Sequence, residues 1–589
     1  MILLTFSPVS DQFYAECNII GKYHTIIDLY NRADKSKINV KTLNRKDFQD
    51  IDLWMINARK NYLEFLAELS RVSINKDKTI RDFKLFNFPL YWITAISEKQ
   101  YRNHWLFSFF IFKEFLTSNV YKNESIVIYL NHQNYYLKKF ILKLNKNNSI
   151  NRSISFYIPI KVNNVKLFFN IIKTQFQNIN FKYPSKNASN IQEHSVQIIT
   201  TTTNRFLYHQ FLSFSAINKL SVSFKPLALS NINNVNINFL SNKFLQYKPS
   251  LFYKFKILIK SISLFFKIAK LKNDVIINQT PFSIEIIKRE FFDVLKYAQA
   301  YFINYLWYKN YFTSIKNNTL FFLDDEFYVA GRIISKACTD ANNKNVKLFG
   351  LQHGMFSHSH TVYAILQKEI DSIVPGDSFP LPQKFIVWGN YFKDVFKFYN
   401  NLSDQFIQVL GSPHFIQLKN SIDNYKILPP TSKYILWCTT GKENFMFELA
   451  FVKKLIKKYQ FSLLVRLHPG NHIDKKFVIS NLEGINFKFD EENDIYKSIL
   501  KSQFVITSAH STIVLDCIIC NKQVYRIIFD RDDDIFHKEQ NLIFNLRKIE
   551  DIDQNYISLN SSQIHENSYL YLSDDRWQQF LNRELTENV

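Results

Sequence analysis

The amino-acid sequence predicts an α/β fold in which short, buried strands alternate with helices. Between about residues 320 and 530, short apolar runs alternate with longer segments of helical character. This alternation is typical of parallel sheets that carry helices on their faces. Two further observations support the prediction: the apolar runs end in polar residues or glycine, and most glycines lie in the same half of the chain.

The expected elements follow one another in a regular order. Before residue 300 we expect strands at 125–130 and 196–200, a helix near 135–144 and short strands within 147–183. Beyond it we expect strands at 319–323, 346–351, 384–388, 406–410, 434–437, 462–466, 504–506 and 523–528, and helices near 329–340, 444–459, 494–501 and 512–519. Ligands of parallel sheets bind beyond the carboxyl ends of the strands, so the residues that follow these strands are the candidate site residues.

Glycine is concentrated where these strands end. Of the ten glycines, Gly21 alone precedes residue 330, and the other nine lie between Gly331 and Gly484. Glycine allows positive φ and the close approach of backbone to a ligand. The distribution therefore predicts ligand-binding loops in the C-terminal half of the chain.

The bulk composition predicts a globular protein that is attracted to phosphate. A chain of 589 residues is expected to form two or three domains, and a charged fraction of 21% is normal for a globular protein. The formal net charge of +23 favours phosphate on nucleic acid, anionic lipid or a phosphorylated substrate. Because the sequence has neither zinc-finger spacing nor an aromatic RNA-binding signature, we do not expect nucleic acid as a partner.

The five cysteines show no disulfide framework, which favours a reducing cytoplasm. Cys517 and Cys520 form a C-x-x-C inside an apolar run. Two small apolar residues on one helix face explain this spacing, and a redox or metal site is the alternative. The first residues resemble no signal peptide, and the sequence contains no uncharged apolar run of about 18 residues, so no transmembrane helix is expected.

Three polar clusters at strand ends are the candidate sites. The first, an imidazole beside a glycine, consists of Gln352, His353 and Gly354. The second, after the strand at 462–466, consists of Arg466, His468, Pro469 and Gly470. The third, in a turn that enters a helix, contains Thr507, Ser508, Ser511 and Thr512.

The residue types of these clusters suit an anionic ligand. Arg466 adds a charge that can bind phosphate. The turn at 507–512 offers hydroxyls together with the unpaired amides expected at a helix N-terminus, where the helix dipole favours negative charge. Ser511 or Thr512 could alternatively serve only as a helix cap.

In their order along the chain, Q-H-G, G-S-P, R-x-H-P-G and the serine- and threonine-rich turn resemble motifs of bacterial capsule and teichoic-acid transferases of the GT-B fold. The chain is similar to CDP-glycerol glycerophosphotransferases, which carry Q-x-W-H-G, G-x-P-R, H-P and D-Y-S-S. It also resembles polysialyltransferases and capsule Kdo transferases, which share an H-P motif and a serine pair. The resemblance covers about residues 320 to 530. It departs from the first family in lacking the tryptophan of Q-x-W-H-G and in replacing D-Y-S-S.

The resemblance implies a GT-B-type α/β fold, with two Rossmann-like domains that face a cleft and with N-terminal additions. It implies that the donor's nucleotide phosphates bind to Arg466, His468, Pro469, Gly470, Ser508, Ser511 and Thr512. It implies a cleft lined by Gln352, Gly354, Gly411, Ser412, Thr439 and Thr440. No metal and no cofactor are expected, because the nucleotide-activated sugar or polyol is itself the donor substrate.

Two candidates compete for the general base. By the resemblance to the glycerophosphotransferases, His353 takes a proton from the acceptor hydroxyl, which an imidazole near neutral pKa can do. The triplet Asp324, Asp325 and Glu326 ends a strand in the region where polysialyltransferases place a catalytic carboxylate. The triplet could instead only favour the start of the following helix. We expect His353 to act as the base.

The expected function is transfer from a nucleotide-activated donor, CMP- or CDP-linked, in bacterial surface polysaccharide synthesis. The transferred group is a sugar or glycerol phosphate, and the acceptor is lipid-linked or a polysaccharide. The expected division of the chain is an N-terminal α/β region at 1–300, the remaining acceptor-side domain at 301–400, the donor domain at 401–555 and a helical tail at 556–589. The alternatives are a sugar-nucleotide epimerase of the same fold and a non-catalytic scaffold subunit.

Residues 251–272 form a basic amphipathic segment. Lys254, Lys256, Lys260 and Lys267 lie among Phe, Leu and Ile, and the segment has no acidic residue. Such segments lie on anionic membrane surfaces, although a buried helix with lysines that reach solvent has the same pattern. The expected location is therefore peripheral, on the cytoplasmic face of the cell membrane.

Overall fold

The computed structural model shows parallel sheets connected by helices. It describes residues 1–5, 11–28, 37–44, 48, 51–75, 78–94, 97, 99, 104–118, 124–130, 138, 141–142, 154–157, 196–199, 251–277, 280–323, 327–357, 360–371, 377, 379–400, 402–422, 434–439, 442–468, 473–492, 494–508, 511–528, 542–554, 570–573 and 575–586. Within these ranges, no helix combines the length and the apolar character needed to cross a membrane.

The N-terminal sheet has five parallel strands in the order β3-β2-β1-β4-β5. Its strands are β1 (Ile2–Thr5), β2 (Thr25–Asp28), β3 (Lys41–Asn44), β4 (Ile126–Tyr129) and β5 (Ile154–Tyr157). The helices described in the same part of the chain are α1 (Asp11–Cys17), α2 (Ile51–Arg71) and α3 (His104–Thr117). Because β1, β2 and β4 are buried along their whole lengths, they need cover on both faces, and α2 packs along α3.

The central sheet has five parallel strands in chain order. They are β6 (Val196–Ile199), β7 (Thr319–Leu323), β8 (Val346–Leu351), β9 (Lys384–Val387) and β10 (Ile407–Val409). The accompanying helices are α4 (Leu251–Ala269), α5 (Ile284–Lys296), α6 (Ala298–Ser314), α7 (Val329–Ala341), α8 (Gln367–Ile370), α9 (Asn390–Tyr399) and α10 (Pro413–Ser421). Helix α6 packs extensively on α7.

Among the described residues, two-stranded antiparallel pairs accompany these elements. They pair Ser73–Asn75 with Lys78–Thr79, Lys84–Leu85 with Phe88–Pro89, and Val275–Ile277 with Thr280–Phe282. The hairpin at 84–89 lies against α4, which places this part of the N-terminal region beside the helices of the central sheet.

The C-terminal sheet has six parallel strands, β11 (Tyr434–Cys438), β12 (Ser462–Arg466), β13 (Phe487–Phe489), β14 (Phe504–Ser508), β15 (Val524–Ile527) and β16 (Ile543–Leu546). Its helices are α11 (Lys442–Tyr459), α12 (Lys475–Asn481), α13 (Ile495–Lys501), α14 (Ile513–Ile519) and α15 (Asp551–Gln554). The strand order is β13-β12-β11-β14-β15-β16. The chain builds outward from β11 in one direction and then in the other, which is the doubly wound order of a dinucleotide-binding sheet.

The last helix returns to the central sheet. In α16 (Asp575–Thr586), Trp577 is buried against Phe322 of β7 and donates a hydrogen bond of 3.2 Å to the carbonyl of Gly411. Glu584, buried in the same helix, forms ion pairs with Lys347 and Lys384 on the sheet. Burial opposes ionisation of Glu584, but the two lysines outweigh it and lower the pKa of this carboxyl.

A buried polar network attaches the N-terminal region to the central unit. Arg81 is inaccessible to solvent and donates to the carbonyls of Ser70, Asp371 and Glu369. Lys99 is buried beside Glu369 at 2.7 Å. Since a buried cation is costly without partners, these contacts stabilise one arrangement of the two segments.

The predicted α/β class with parallel sheets is confirmed, and the central and C-terminal sheets provide two Rossmann-like units. The strands expected at 125–130 and 196–200 correspond to β4 and β6. Strand β6 pairs with β7, so the central sheet includes a strand from before residue 300. Most of 135–144 and 147–183 lies outside the described residues, as does 556–569.

Candidate functional site

Gln352 is buried at the carboxyl end of β8 and connects this strand to its neighbour. Its backbone N–H donates to the carbonyl of Ile386, and its Oε1 accepts from the backbone N–H of Trp388, both at 2.9 Å. Its amide nitrogen donates to the carbonyl of Gly354 at 2.9 Å. Gln352 is only 1% exposed, so it does not line a cleft as expected. Instead, the oxygen and the nitrogen of its side-chain amide hydrogen-bond to different segments. They join the ends of β8 and β9 and shape the loop that carries His353.

His353 is half-buried between Gln352 and the start of α7. Its ring centre lies 6.2 Å from that of Tyr328, the residue before α7. The structure therefore places an imidazole at the carboxyl edge of the central sheet, as the sequence predicted. The competing carboxylates Asp324, Asp325 and Glu326 lie outside the described residues, and the assignment of the base stays a prediction.

The two glycines expected to line the cleft have different structural roles. A Cβ atom on Gly354 would meet no atom within 4 Å, so packing within the described protein does not require a glycine there. Gly411 has φ of +85°, and a Cβ there would lie 2.2 Å from the carbonyl oxygen of Tyr571. Gly411 is thus required by the close approach of the C-terminal segment, whereas Gly354 leaves open space beside His353.

Ser412 follows Gly411 and precedes α10. Its side chain is fully buried, and its hydroxyl has no hydrogen-bond partner among the described residues. It does not cap the helix with its side chain. The structure places Ser412 at the carboxyl edge of the central sheet but not on an exposed surface.

The C-terminal sheet reverses its winding between β11 and β14, which is where ligands bind in sheets of this order. Thr439 follows β11, and its N–H donates to the carbonyl of Arg466 at 3.0 Å. The backbone N–H of His468 in turn donates to Oγ1 of Thr439 at 3.3 Å. These bonds bring Thr439, which was expected to line the cleft, beside His468, which was expected to bind the donor's phosphates, and hold His468 at this edge.

His468 is partly exposed, and desolvation by the surrounding protein lowers the pKa of its imidazole. At neutral pH the ring is therefore uncharged, and one ring nitrogen carries a proton that it can donate. Thr440, Pro469 and Gly470, which were expected in the same site, lie outside the described residues.

The hydroxyl-rich turn after β14 differs from the expected anion site in one respect. The amides of Ile513, Val514 and Leu515 already donate within the turn, to Oγ and the carbonyl of Ser511 and to the carbonyl of Thr512. Helix α14 is also short, with seven residues. The site therefore does not offer the unpaired first-turn amides that the sequence suggested. Its remaining candidate groups are the hydroxyls: Ser508 is buried, and Ser511 and Thr512 are half-buried.

Arg466 is held by the protein itself. Its Nη1 donates to Oδ2 of Asp490 at 2.5 Å and to the carbonyl of Glu492 at 3.0 Å. Asp490 is buried and also accepts a hydrogen bond from Ser498 at 2.9 Å. The expected phosphate contact is thus replaced, for this nitrogen, by an ion pair that joins β12 to the end of β13.

The C-x-x-C pair is part of the core. Cys517 and Cys520 are buried in and just after α14, and burial raises the pKa of both thiols. Thiols held in the protonated form are poor nucleophiles and poor metal ligands. In the described ranges, no group of three or more His, Cys, Asp or Glu side chains is placed to hold a metal ion.

Sequence reasoning missed a contact between the two sheets. Tyr496 of α13 hydrogen-bonds to Nε2 of His414 in α10, and its hydroxyl also donates to Oδ1 of Asp516 in α14 at 3.2 Å. The one feature of the sequence that could have pointed to His414 is its position directly after the G-S-P cluster. Its partners lie about 80 and 100 residues further along the chain, and no spacing rule connects them.

No protein-family model matches the chain, and no curated protein does either. Among solved structures, a UDP-N-acetylglucosamine 2-epimerase from Rickettsia bellii matches with 13% identity and a TM-score of 0.38, over 67% of this chain and 97% of its own. The wall teichoic acid polymerase TagF matches with 12% identity and a TM-score of 0.35, over 73% and 100%. A glycosyltransferase from Rickettsia africae ESF-5 matches with 11% identity and a TM-score of 0.34, over 68% and 97%. Similarity at this level assigns no role to any residue.

The two glycines provide a paired test of the site's construction. Gly411→Ala should lower the free energy of unfolding by at least about 2 kcal/mol, because the new methyl group strains a positive φ and collides with a carbonyl. Gly354→Ala should change it by less than about 1 kcal/mol. Urea denaturation followed by tryptophan fluorescence measures both. Equal stability of the two variants would contradict the roles assigned here.

Proposed function

We propose that the protein is a GT-B-type transferase that uses a nucleotide-activated donor. The observation that supports it is the C-terminal sheet, whose doubly wound order brings Thr439 and the hydroxyl turn of Ser508, Ser511 and Thr512 to its switch point. Nucleotides bind at such switch points, with their phosphates close to the turns that follow the strands. His468 on the neighbouring strand end adds an imidazole N–H donor.

The proposed donor site stabilises the leaving group with neutral hydrogen-bond donors. His468 is uncharged at neutral pH, so it would donate one N–H to a phosphate oxygen. Thr439 holds the backbone at His468 and so limits the positions that the imidazole can occupy. Donors that are already oriented stabilise the charge that develops on the leaving phosphate without further rearrangement. We propose that no metal ion takes part, and activity that persists in EDTA would agree with this.

The proposed acceptor side is the edge of the central sheet. His353 would take the proton from the attacking hydroxyl, and the open space beside Gly354 would admit that hydroxyl. The proton moves from the hydroxyl to the imidazole, the hydroxyl oxygen bonds to the transferred group, and the bond from that group to the nucleotide phosphate breaks. The transferred group would be a sugar or glycerol phosphate from a CMP- or CDP-linked donor, and the acceptor a lipid-linked or polysaccharide chain in bacterial surface polysaccharide synthesis.

We propose the cytoplasmic face of the cell membrane as the location and the exposed face of α4 as the surface involved. One face of α4 packs on the protein through Ile257, Leu264 and Ile268, which are buried. The opposite face exposes a stripe at helical spacing that comprises Phe252, Phe255, Ile259 and Phe266. Lys256, Lys260 and Lys267 are exposed, and each follows a stripe residue by one position. The helix is thus both packed and exposed, on different faces.

One lysine does not belong to this surface. Lys254 is buried, and burial lowers its pKa.

The exposed apolar stripe and the lysines beside it suit an anionic bilayer, in which aromatic side chains insert and ammonium groups meet lipid phosphate. Each lysine near an anionic surface contributes about 1 kcal/mol.

The first test concerns the nucleotide site. CMP, CDP, UDP and GDP should be screened by thermal shift, and the nucleotide that binds should raise the melting temperature by mass action. His468→Ala should weaken that nucleotide's binding and reduce turnover by about a hundredfold. His24→Ala removes an exposed imidazole that hydrogen-bonds to Glu124, so it is the matched control and should change neither. Unchanged affinity and full turnover in a folded His468 variant would refute the assignment.

The second test separates the two candidate bases. His353→Ala should abolish transfer and leave nucleotide affinity unchanged, because the base acts on the acceptor. Asp325→Asn and Glu326→Gln should remain active. The reverse pattern would assign the base to the carboxylates.

The unchanged chain also distinguishes the alternative functions. Conversion of a nucleotide sugar without release of nucleotide would indicate an epimerase. The absence of any turnover would indicate a scaffold.

The third test concerns the membrane. Co-sedimentation with anionic vesicles should decrease with salt and fall strongly when Lys256, Lys260 and Lys267 become Glu. A control variant replaces the exposed Lys453, Lys457 and Lys497 of the C-terminal unit with Glu. It changes the net charge by the same amount as the α4 variant and should retain most of the binding. Phe252→Ser with Ile259→Ser should weaken binding at every salt concentration. Equal loss in the two lysine variants would mean that net charge alone is responsible.

A further inference from the structure

The contact between His414, Tyr496 and Asp516 joins the central and C-terminal units. The ring centres of His414 and Tyr496 are 5.9 Å apart, and Nε2 of His414 lies 3.9 Å from Oδ1 of Asp516. One side chain comes from α10, and the other two come from α13 and α14. Tyr496 hydrogen-bonds to His414 of the central unit and to Asp516 of its own unit, so its hydroxyl links the imidazole to the carboxyl.

Each of the three helices that form this contact also contributes side chains to the hydrophobic core. Phe415 and Leu418 of α10 belong to the same hydrophobic cluster as Ile499 of α13 and Val514 and Cys517 of α14. His414 and Asp516 are 9% and 5% exposed. A carboxylate in such an interface must either be paired or take up a proton, because its charged form loses hydration.

Each of the two helices that meet here also begins at the carboxyl edge of its sheet, which is the edge where the proposed site residues lie. Ser412 precedes α10 by one residue, and His414 is the second residue of that helix. Thr512 precedes α14, and Asp516 lies one helical turn further on. The relative position of α10 and α14 therefore determines the distance between the proposed acceptor edge and the hydroxyl turn of the proposed donor site.

We propose that His414, Tyr496 and Asp516 form a pH-sensitive clamp, which holds the central and C-terminal units together and so positions the two halves of the site. The positioning role rests on the function proposed above, whereas the clamp itself does not. Tyr496 is a positioning residue, since it bridges the two units without being part of either proposed site.

The pH dependence follows from the buried carboxyl. Burial raises the pKa of Asp516 to about 7, and the hydrogen bond from Tyr496 opposes this in part. In water the same carboxyl would have its ordinary pKa of about 3.9. While Asp516 is protonated, the packed interface pays no free energy for a buried charge. The free-energy cost of burying the ionised carboxyl grows between about pH 4 and pH 7. Above that range the clamp is at its weakest, and separation of the units is favoured.

Other titratable or charged groups lie on the elements around Asp516. They are His414 and Lys419 on α10, Asp494, Tyr496, Lys497 and Lys501 on or beside α13, Cys517, Cys520 and Lys522 on or after α14, and Tyr434, Cys438, Tyr525 and Arg526 on the neighbouring strands. Burial raises the pKa of the three thiols and of the Tyr496 hydroxyl, so these groups stay protonated across the range tested. The transition near neutral pH is therefore assigned to the carboxyl of Asp516.

The experiment measures the distance between the units in the full chain. Asp394→Cys on α9 and Lys457→Cys on α11 place spin labels at exposed positions of the two units. The five native thiols react slowly by comparison, because burial raises the pKa of each. The distance distribution should be narrow at pH 5.5 and should lose its narrow peak at pH 8.5.

Two conservative variants test the assignment. Asp516→Asn cannot ionise and should keep the narrow peak at both pH values, whereas Tyr496→Phe should lose it at both. Tyr459→Phe is the matched control: it removes a hydroxyl that bonds to Tyr525 at 3.1 Å within the C-terminal unit, and it should behave as the unchanged chain.

The clamp is overturned if the unchanged chain has the same distribution at both pH values, or if Asp516→Asn responds to pH as the unchanged chain does. Nucleotide affinity, measured by calorimetry on the same samples, separates this result from the proposed function. A clamp that responds as expected in a chain that binds no nucleotide would refute the function alone.

Discussion

The parallel pairing of buried strands is the constraint on which the rest of this structure depends. Neighbouring parallel strands cannot be joined by a tight turn, so the chain returns across a face of the sheet, and the strands become buried on both sides. The polar residues that follow the strands then meet at one edge. In the C-terminal sheet, the winding also reverses beside β11, which separates the loops after β11 and β14 and leaves room for a ligand between them. The candidate site is thus a consequence of strand order as much as of particular residues.

The same constraint explains how much could be predicted. Strand positions and their order along the chain follow from local apolar runs, and so do the positions of His353, Thr439 and His468 at strand ends. The role of each polar residue depends on atoms that are remote in sequence. Gln352 and Arg466 were expected to meet a ligand, but Gln352 joins two strand ends and Arg466 pairs with Asp490. The requirement for glycine at 411 likewise comes from Tyr571, 160 residues further along the chain.

Buried polar groups define how the units are joined. Arg81, Lys99 and Glu369 connect the N-terminal region to the central unit, and Glu584 with two lysines fixes the returning C-terminal helix. Each of these groups would be costly if it were left alone in the interior, so the partners must arrive together. The contact of His414, Tyr496 and Asp516 differs, because one proton more or less changes its energy near neutral pH. Among these connections it is the one suited to reversible adjustment.

The positive charge of the chain and the proposed phosphate site are distinct features. The net charge of +23 suggested attraction to phosphate. Yet Arg81, Arg332 and Arg526 are buried in the structure, and the described edge of the C-terminal sheet offers a neutral imidazole and hydroxyls. The exposed lysines of α4 belong to a different surface. Surface charges act over about a Debye length and weaken with salt, whereas oriented neutral donors act at contact and are little affected by it. This separation would let the protein be held at an anionic surface without that attraction competing for the phosphates of the donor.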